Sequence, residues 1–189
     1  MKMKVLMVVS AMMFALIAGP AQAREGLYLG AYYQTTTLSG DVLSTVPGVD
    51  SGTGLGGRLG LGIGRYLGIE GTLFKTTHDA GLYPTIDYKG GTVDFKIYFP
   101  LTGSGLEPYL MAGVGKYKLE NVYNAGASAS YSGEGAEFGI GVNLYLFPEL
   151  SLNAGYTKQN ITFDSGTPLG VDLDGKARTF DVGITYHFL

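Results

Sequence analysis

The sequence predicts an all-β fold, an eight-stranded antiparallel up-and-down transmembrane β-barrel, on three observations. Its segments alternate in side-chain type with a period of two. Its connections alternate between compact and long. Its last segment, "TFDVGITYHFL", keeps alternating up to the C-terminus. A period of two places successive residues on opposite faces of a sheet. An apolar terminal strand is a hazard at a free sheet edge, but in a closed barrel the last strand pairs with the first and no edge remains.

Residues 1–23 stand apart from the strands. Lys2 and Lys4 form a basic head, "VLMVVSAMMFALIAG" an apolar run too short to span a bilayer, and "AQA" at Ala21–Ala23 a small-residue cleavage site. These are the three regions of a cleaved secretory signal. The expected mature domain is residues 24–189. Without Lys2 and Lys4 the basic residues fall from 13 to 11 against 16 acidic ones, a balance of −5. Such acidity excludes a general nucleic-acid binder. The chain has no cysteine, 31 glycines, 14 tyrosines and no tryptophan, and after Ala23 no apolar stripe repeats at helical spacing.

Strands are predicted at about 26–37, 53–64, 67–77, 86–99, 108–119, 134–147, 150–163 and 177–188. The third carries Leu67, Ile69, Gly71 and Leu73 on one face. The fourth does the same with Val93, Phe95, Ile97 and Phe99, and the fifth with Leu110, Ala112 and Val114. The sixth is the cleanest: Ala136, Phe138, Ile140, Val142, Leu144 and Leu146 oppose Glu137, Gly139, Gly141, Asn143 and Tyr145. The seventh carries Leu150, Leu152, Ala154 and Tyr156 on its apolar face. The eighth sets Phe180, Val182, Ile184, Tyr186 and Phe188 against Thr179, Asp181, Gly183, Thr185 and His187.

The connections after strands two, four and six are compact: Arg65–Tyr66, "PLTGSGLE" and "PEL". Those after one, three, five and seven are polar and mostly longer: "LSGDVLSTVPGVDS", "HDAGLYPT", "ENVYNAGASASYS" and "DSGTPLGVDLDG". Short turns at one end and long loops at the other are the pattern of bacterial transmembrane barrels, with the short turns periplasmic. A soluble barrel or sandwich shares the alternation but turns its apolar face inward. Here one face is glycine-rich and charged, as suits a narrow interior, and the other is too apolar for a solvated wall. Tyr33, Tyr66, Phe99, Tyr109, Tyr117, Tyr156 and Phe188 near strand ends are expected to form interfacial girdles.

"EFGIGVNLYLFPELSLNAGYTK" and "PYLMAGVGKYKLE" resemble the corresponding strands of outer membrane protein A-type eight-stranded domains, in the broad outer-membrane β-barrel family. The ending at Asp181, Gly183, Tyr186 and Phe188 resembles the C-terminal signal read by the barrel assembly machinery, although the family usually stops at the aromatic and this chain adds Leu189. The resemblance implies location in the outer membrane of a Gram-negative bacterium, periplasmic chaperones as partners on the way there, a monomer, and no cofactor.

With the glycine-rich faces inside, the lumen holds Arg58, Glu70, Asp94, Lys96, Glu137 and Asp181. An eight-stranded barrel is just wide enough for side chains to fill, and buried charges must pair. Two cations face four carboxylates, and Arg58 and Glu137 are read as a pair. The network is expected to be a structural plug; the alternative is a gated cation pathway. On the outer face, Lys75, Lys89, Lys116, Lys118, Lys158 and Arg178 continue the apolar sets upward. At about 3.3 Å per residue and a tilt near 40°, most lie about 20–25 Å above the opposite rim, at the top of an apolar band about 25 Å tall. Such a belt fits the phosphates of lipopolysaccharide, or ordinary snorkelling.

No catalytic set is recognisable. His78 is read at a loop start and His187 at the periplasmic end, so the two lie at opposite ends of the barrel, and there is no His-x-Ser pair of the lipid A deacylase kind. "GVDLDGK" at 170–176 has phosphate-loop spacing, but Ala177 stands where Ser or Thr is needed. Asp172 and Asp174 offer calcium two oxygens, but Asp-Gly is first a turn signal. "NIT" at Asn160 is a glycosylation sequon without meaning in such a membrane. The expected role is non-enzymatic: a structural or surface-interaction protein whose four extracellular loops offer a seat for a host or surface ligand. A narrow solute channel and a lipid-modifying enzyme are the alternatives.

Overall fold

The computed structural model describes residues 25–40, 51–80, 83–101, 104–124, 127–164 and 173–188. The proposed leader and Asp172 lie outside the described residues. The strands are β1 (Gly26–Gly40), β2 (Gly52–Ile63), β3 (Leu67–Ala80), β4 (Tyr83–Tyr98), β5 (Leu106–Asn124), β6 (Ala127–Phe147), β7 (Leu150–Phe163) and β8 (Leu173–His187). They close into an antiparallel barrel in sequence order. The closing seam runs from Tyr28 opposite His187 to Gly40 opposite Gly175, and Phe188 N–H donates to Leu27 O at 2.8 Å. The apolar terminal strand therefore has no free edge.

The distribution of side chains is inverted relative to a water-soluble protein. Leu29, Leu55, Leu59, Leu73, Val93, Val114, Phe138, Ile140 and Phe180 are exposed on the outer wall. Arg58, Glu70, Asp94, Lys96, Glu107, Glu137 and Asp181 are buried inside. A solvated wall of this composition would be a single aggregation surface; against hydrocarbon it is the stable arrangement.

Compact turns join β2 to β3, β4 to β5 and β6 to β7. The first needs Gly64 in the left-handed region (φ 59°), and it is tied across to β4 by Tyr98 N–H donating to Tyr66 O at 2.8 Å. At the opposite end the strands run further than the sequence pattern predicts. The β3–β4 ladder continues to Ala80 opposite Tyr83, and β5–β6 to Asn124 opposite Ala127. These two segments, expected as loops, are thus largely hairpin. Their Gly, Asn and Ser residues carry turn signals, yet packing overrides them: Phe74, Ile86, Tyr88, Tyr117, Leu119, Ile161 and Phe163 form an apolar cluster inside the upper barrel that holds the ladders together.

The lumen is narrow because aromatic rings lie on glycines. A Cβ built on Gly60 would stand 2.1 Å from Tyr28 Cζ, and one on Gly56 would stand 2.2 Å from Tyr32 Cζ. The predicted girdle is corrected at two places. Tyr33, Tyr66, Phe99, Tyr156 and Phe188 face outward, but Tyr109 and Tyr117 are buried in the lumen. Their parity follows Glu107 and the other inward residues of β5, which a girdle based only on closeness to a strand end overlooks.

Candidate functional site

The lumen is filled in three layers. At the short-turn end, Tyr28 Oη and Tyr98 Oη share a hydrogen bond of 3.2 Å, and Tyr98 meets Tyr109 edge to face. Glu107 Oε1 accepts from Asn143 Nδ2 at 3.1 Å and Tyr145 Oη at 3.3 Å. Ser151 Oγ lies 3.1 Å from His187 Nε2. This hydroxyl–imidazole pair has no sequence signature, since its members are 36 positions apart. Ser151 is fully buried, and a nucleophile without access to substrate fails the first geometric requirement of acyl transfer.

The middle layer holds all six predicted lumen residues. Arg58 Nη2 donates to Asp181 Oδ1 at 2.7 Å and the guanidinium lies 4.4 Å from the Tyr32 ring centroid. Lys96 Nζ lies 2.8 Å from Glu70 Oε1 and 4.4 Å from the Tyr109 ring centroid. The expected Arg58–Glu137 pair is corrected: Glu137 Oε2 instead accepts from Gln159 Nε2 at 2.7 Å and Tyr117 Oη at 3.1 Å. Tyr88 Oη in turn donates to Gln159 Oε1 at 2.7 Å, so neutral donors stand where the charge pattern predicts a cation. Asp94 Oδ2 accepts from Thr92 Oγ1 at 2.7 Å. Asp94, Gly113 and Glu137 occupy one row across β4, β5 and β6. The space left beside Gln34, Arg58 and Glu70 is about 40 Å³, room for a few water molecules.

The third layer is the apolar cluster, with Tyr88 and Tyr117 stacked at 5.9 Å. His78 belongs to it. The sequence pattern puts this residue at a loop start, yet it lies buried on the inner face of β3, with Nε2 3.0 Å from Thr76 Oγ1. The longer β3–β4 ladder is the reason. His78 and His187 do stand at opposite ends. Among the described residues no group of three or more His, Cys, Asp or Glu side chains could hold a metal ion, and Asp174 is exposed on β8 opposite Thr162.

Outside, all six residues of the predicted basic belt face away from the lumen. Lys116 and Lys118 follow the parity of Leu110, Ala112 and Val114. Four of the six meet carboxylates that a search for cations alone overlooks. Lys75 Nζ is 2.7 Å from Asp87 Oδ2, Lys116 Nζ is 3.1 Å from Glu134 Oε1, and both Lys89 and Lys118 bind Glu120. The signal is present in the strand parity: Glu134 continues the outward set Phe138, Ala136, and Glu120 that of Lys116, Lys118. Tyr186 and Phe188, from the proposed assembly signal, pack edge to face on the outer wall at 5.1 Å, while Asp181 points inward to Arg58.

An apolar outer wall, a filled ionic interior and a seam that buries the last strand are the physical requirements of a barrel crossing a bilayer by strands. The sequence pattern of the Outer membrane protein beta-barrel domain matches residues 5–188. The chain belongs to this family. Comparison with curated proteins finds no match. Among solved structures, Neisserial surface protein A is similar with a TM-score of 0.66 at 16% identity, over 90% of this chain and 100% of that one. Ail, the attachment invasion locus protein of Yersinia pestis, in complex with the heparin analogue sucrose octasulfate, is similar with a TM-score of 0.58 at 19% identity, over 87% and 100%. OprG from Pseudomonas aeruginosa is similar with a TM-score of 0.55 at 16% identity, over 88% and 98%. At these identities the likeness is one of fold.

In an outer membrane barrel the depth of each outward residue sets how much a charge there costs. Leu59, mid-strand on β2, should lower folding stability by about 2–4 kcal/mol when changed to Arg, and Ile63 at the rim by about 0–1 kcal/mol. Urea titration of the two variants in lipid vesicles tests this; equal effects would mean that the band is misplaced.

Proposed function

We propose that this outer membrane β-barrel protein acts as a non-enzymatic, non-conducting element of a Gram-negative envelope, with its function on the outer surface. The observation that carries this reading is the three-layer filling of the lumen. With the lumen filled among the described residues, the outer wall and the extracellular hairpins are what other molecules meet. The belt of Lys75, Lys89, Lys116, Lys118, Lys158 and Arg178 engages lipopolysaccharide. The hairpins present a surface for a host or environmental ligand, and the heparin analogue held by Ail supports a surface ligand for a barrel of this build. In the same reading the leader is removed after Ala23, chaperones carry the chain through the periplasm, and the assembly machinery reads Asp181, Gly183, Tyr186 and Phe188. The protein works as a monomer.

The test has three arms. Purified protein in planar bilayers is expected to give no conductance above the bare membrane; steady single-channel currents would replace this reading with the channel. Lipid A from cells expressing the protein is expected to keep its mass; a discrete shift would replace it with the enzyme. Pull-down with matrix components, using wild-type and hairpin-shortened protein, is expected to retain a ligand on the wild type alone.

A further inference from the structure

The basic belt divides into two unlike halves. On β3–β6 its four lysines are paired with three carboxylates: Lys75 with Asp87, Lys116 with Glu134, and Lys89 and Lys118 both with Glu120. On β7–β8 they are not. Lys158 and Arg178 stand directly opposite each other, and Lys176, the next outward residue of β8, stands opposite Asn160. Among the described residues none of these three cations has a carboxylate within ion-pair distance. Asp174, on the same face of β8, is one outward position beyond Lys176 and is not paired to it. The far side of the patch is lined by small hydrogen-bonding residues of β1, with Thr37 opposite Arg178 and Ser39 opposite Lys176, both outward. Three adjacent cations without counter-charges repel one another, so the patch is suited to an anion.

A second feature adjoins it. One register row runs Phe95, Ala112, Phe138, Lys158, Arg178 across β4 to β8. The small Ala112 between two phenylalanines leaves an open apolar groove of about 520 Å³ on the outer wall, bordered by Leu110, Ile140 and Tyr156, with Lys158 on its rim. A groove facing hydrocarbon and ending at a cluster of cations matches a molecule with an acyl chain beside a phosphate. The patch and the groove are independent observations on one row.

We infer that β7–β8 forms a specific seat for a phosphorylated, acylated glycolipid of the outer leaflet, the lipid A part of lipopolysaccharide. Lys158, Lys176 and Arg178 hold its phosphate, and one acyl chain lies over Ala112. The β3–β6 lysines, already paired, contribute little direct binding. This rests on the lipopolysaccharide reading given above and narrows it to one face of the barrel.

The experiment titrates purified lipopolysaccharide, in the presence of a divalent-metal chelator, onto the protein held in phosphatidylcholine nanodiscs. The triple variant K158Q/K176Q/R178Q is expected to lose about tenfold or more in affinity, and the quadruple variant K75Q/K89Q/K116Q/K118Q less than about threefold. Ala112→Phe, which fills the groove, should weaken intact lipopolysaccharide and leave binding of its deacylated, still phosphorylated sugar unchanged. Enzymatically dephosphorylated lipopolysaccharide should bind wild type as weakly as intact lipopolysaccharide binds the triple variant. A heat-modifiable band on gel electrophoresis verifies that each variant folds. Equal losses in the triple and quadruple variants would overturn the β7–β8 seat and leave a uniform belt standing. Wild-type binding unaffected by either variant would overturn both readings. Weakening of both probes by Ala112→Phe would overturn the acyl-chain assignment.

Discussion

Arg58→Ala should destabilise the barrel by about 3–5 kcal/mol, the effect of stripping the partner from a buried charge. Arg58 and Asp181 lie within the barrel wall, joined at 2.7 Å, and the guanidinium also covers the Tyr32 ring. Its removal leaves the Asp181 carboxylate inside a sealed cylinder that already contains Glu70, Asp94 and Glu137. Lys96 cannot serve both, since it is engaged by Glu70 at 2.8 Å. The double variant Arg58→Gln with Asp181→Asn removes both charges and keeps most of the volume, so it should be distinctly more stable than Arg58→Ala. Urea unfolding from lipid vesicles, followed by the heat-modifiable band, measures both. A loss for Arg58→Ala below about 1 kcal/mol, the value of a surface ion pair, would mean that water reaches the lumen freely and that the barrel is not sealed.

Gly113→Val should prevent efficient folding, with a loss above about 3 kcal/mol, beyond the usual range for overpacking. A Cβ at this position would stand 2.0 Å from Asp94 Oδ1 and 2.4 Å from the backbone oxygen of Val93. The first collision could be relieved by a side-chain movement. The second requires β4 and β5 to separate. The glycine also gives the Asp94 carboxylate its space, so a side chain there forces that acid aside. Adding Asp94→Ala to Gly113→Val should recover a part of the loss only, because the backbone collision persists. The folded fraction after dilution from urea into lipid vesicles reports the outcome. A single variant that folds like wild type would show that the inner strands have slack, and the three-layer filling would then need revision.

Much of the candidate site is legible in the amino-acid sequence. Arg58, Glu70, Asp94, Lys96, Glu137 and Asp181 face inward as predicted, and the six belt residues face outward. Both follow from parity alone. The partnerships are not legible. Arg58 and Asp181 are 123 positions apart and meet because β8 closes onto β1, bringing both to the two sides of that strand. Glu134 and Glu120 share the parity of the belt, yet nothing in their own strands says which lysine each will meet.

The number of strands, the face on which each side chain lies and the end at which the turns are short all follow from the order of residues. These are local properties: a strand alternates because of its own backbone geometry. Three other features arise only in the closed barrel. They are the pairing of the inward charges, the rise of the β3–β6 hairpins past their turn signals over an apolar cluster, and, among the described residues, the lack of counter-charges beside Lys158, Lys176 and Arg178. Each depends on register and on closure. Those are set by how eight strands fit together, and no single strand's alternation encodes them.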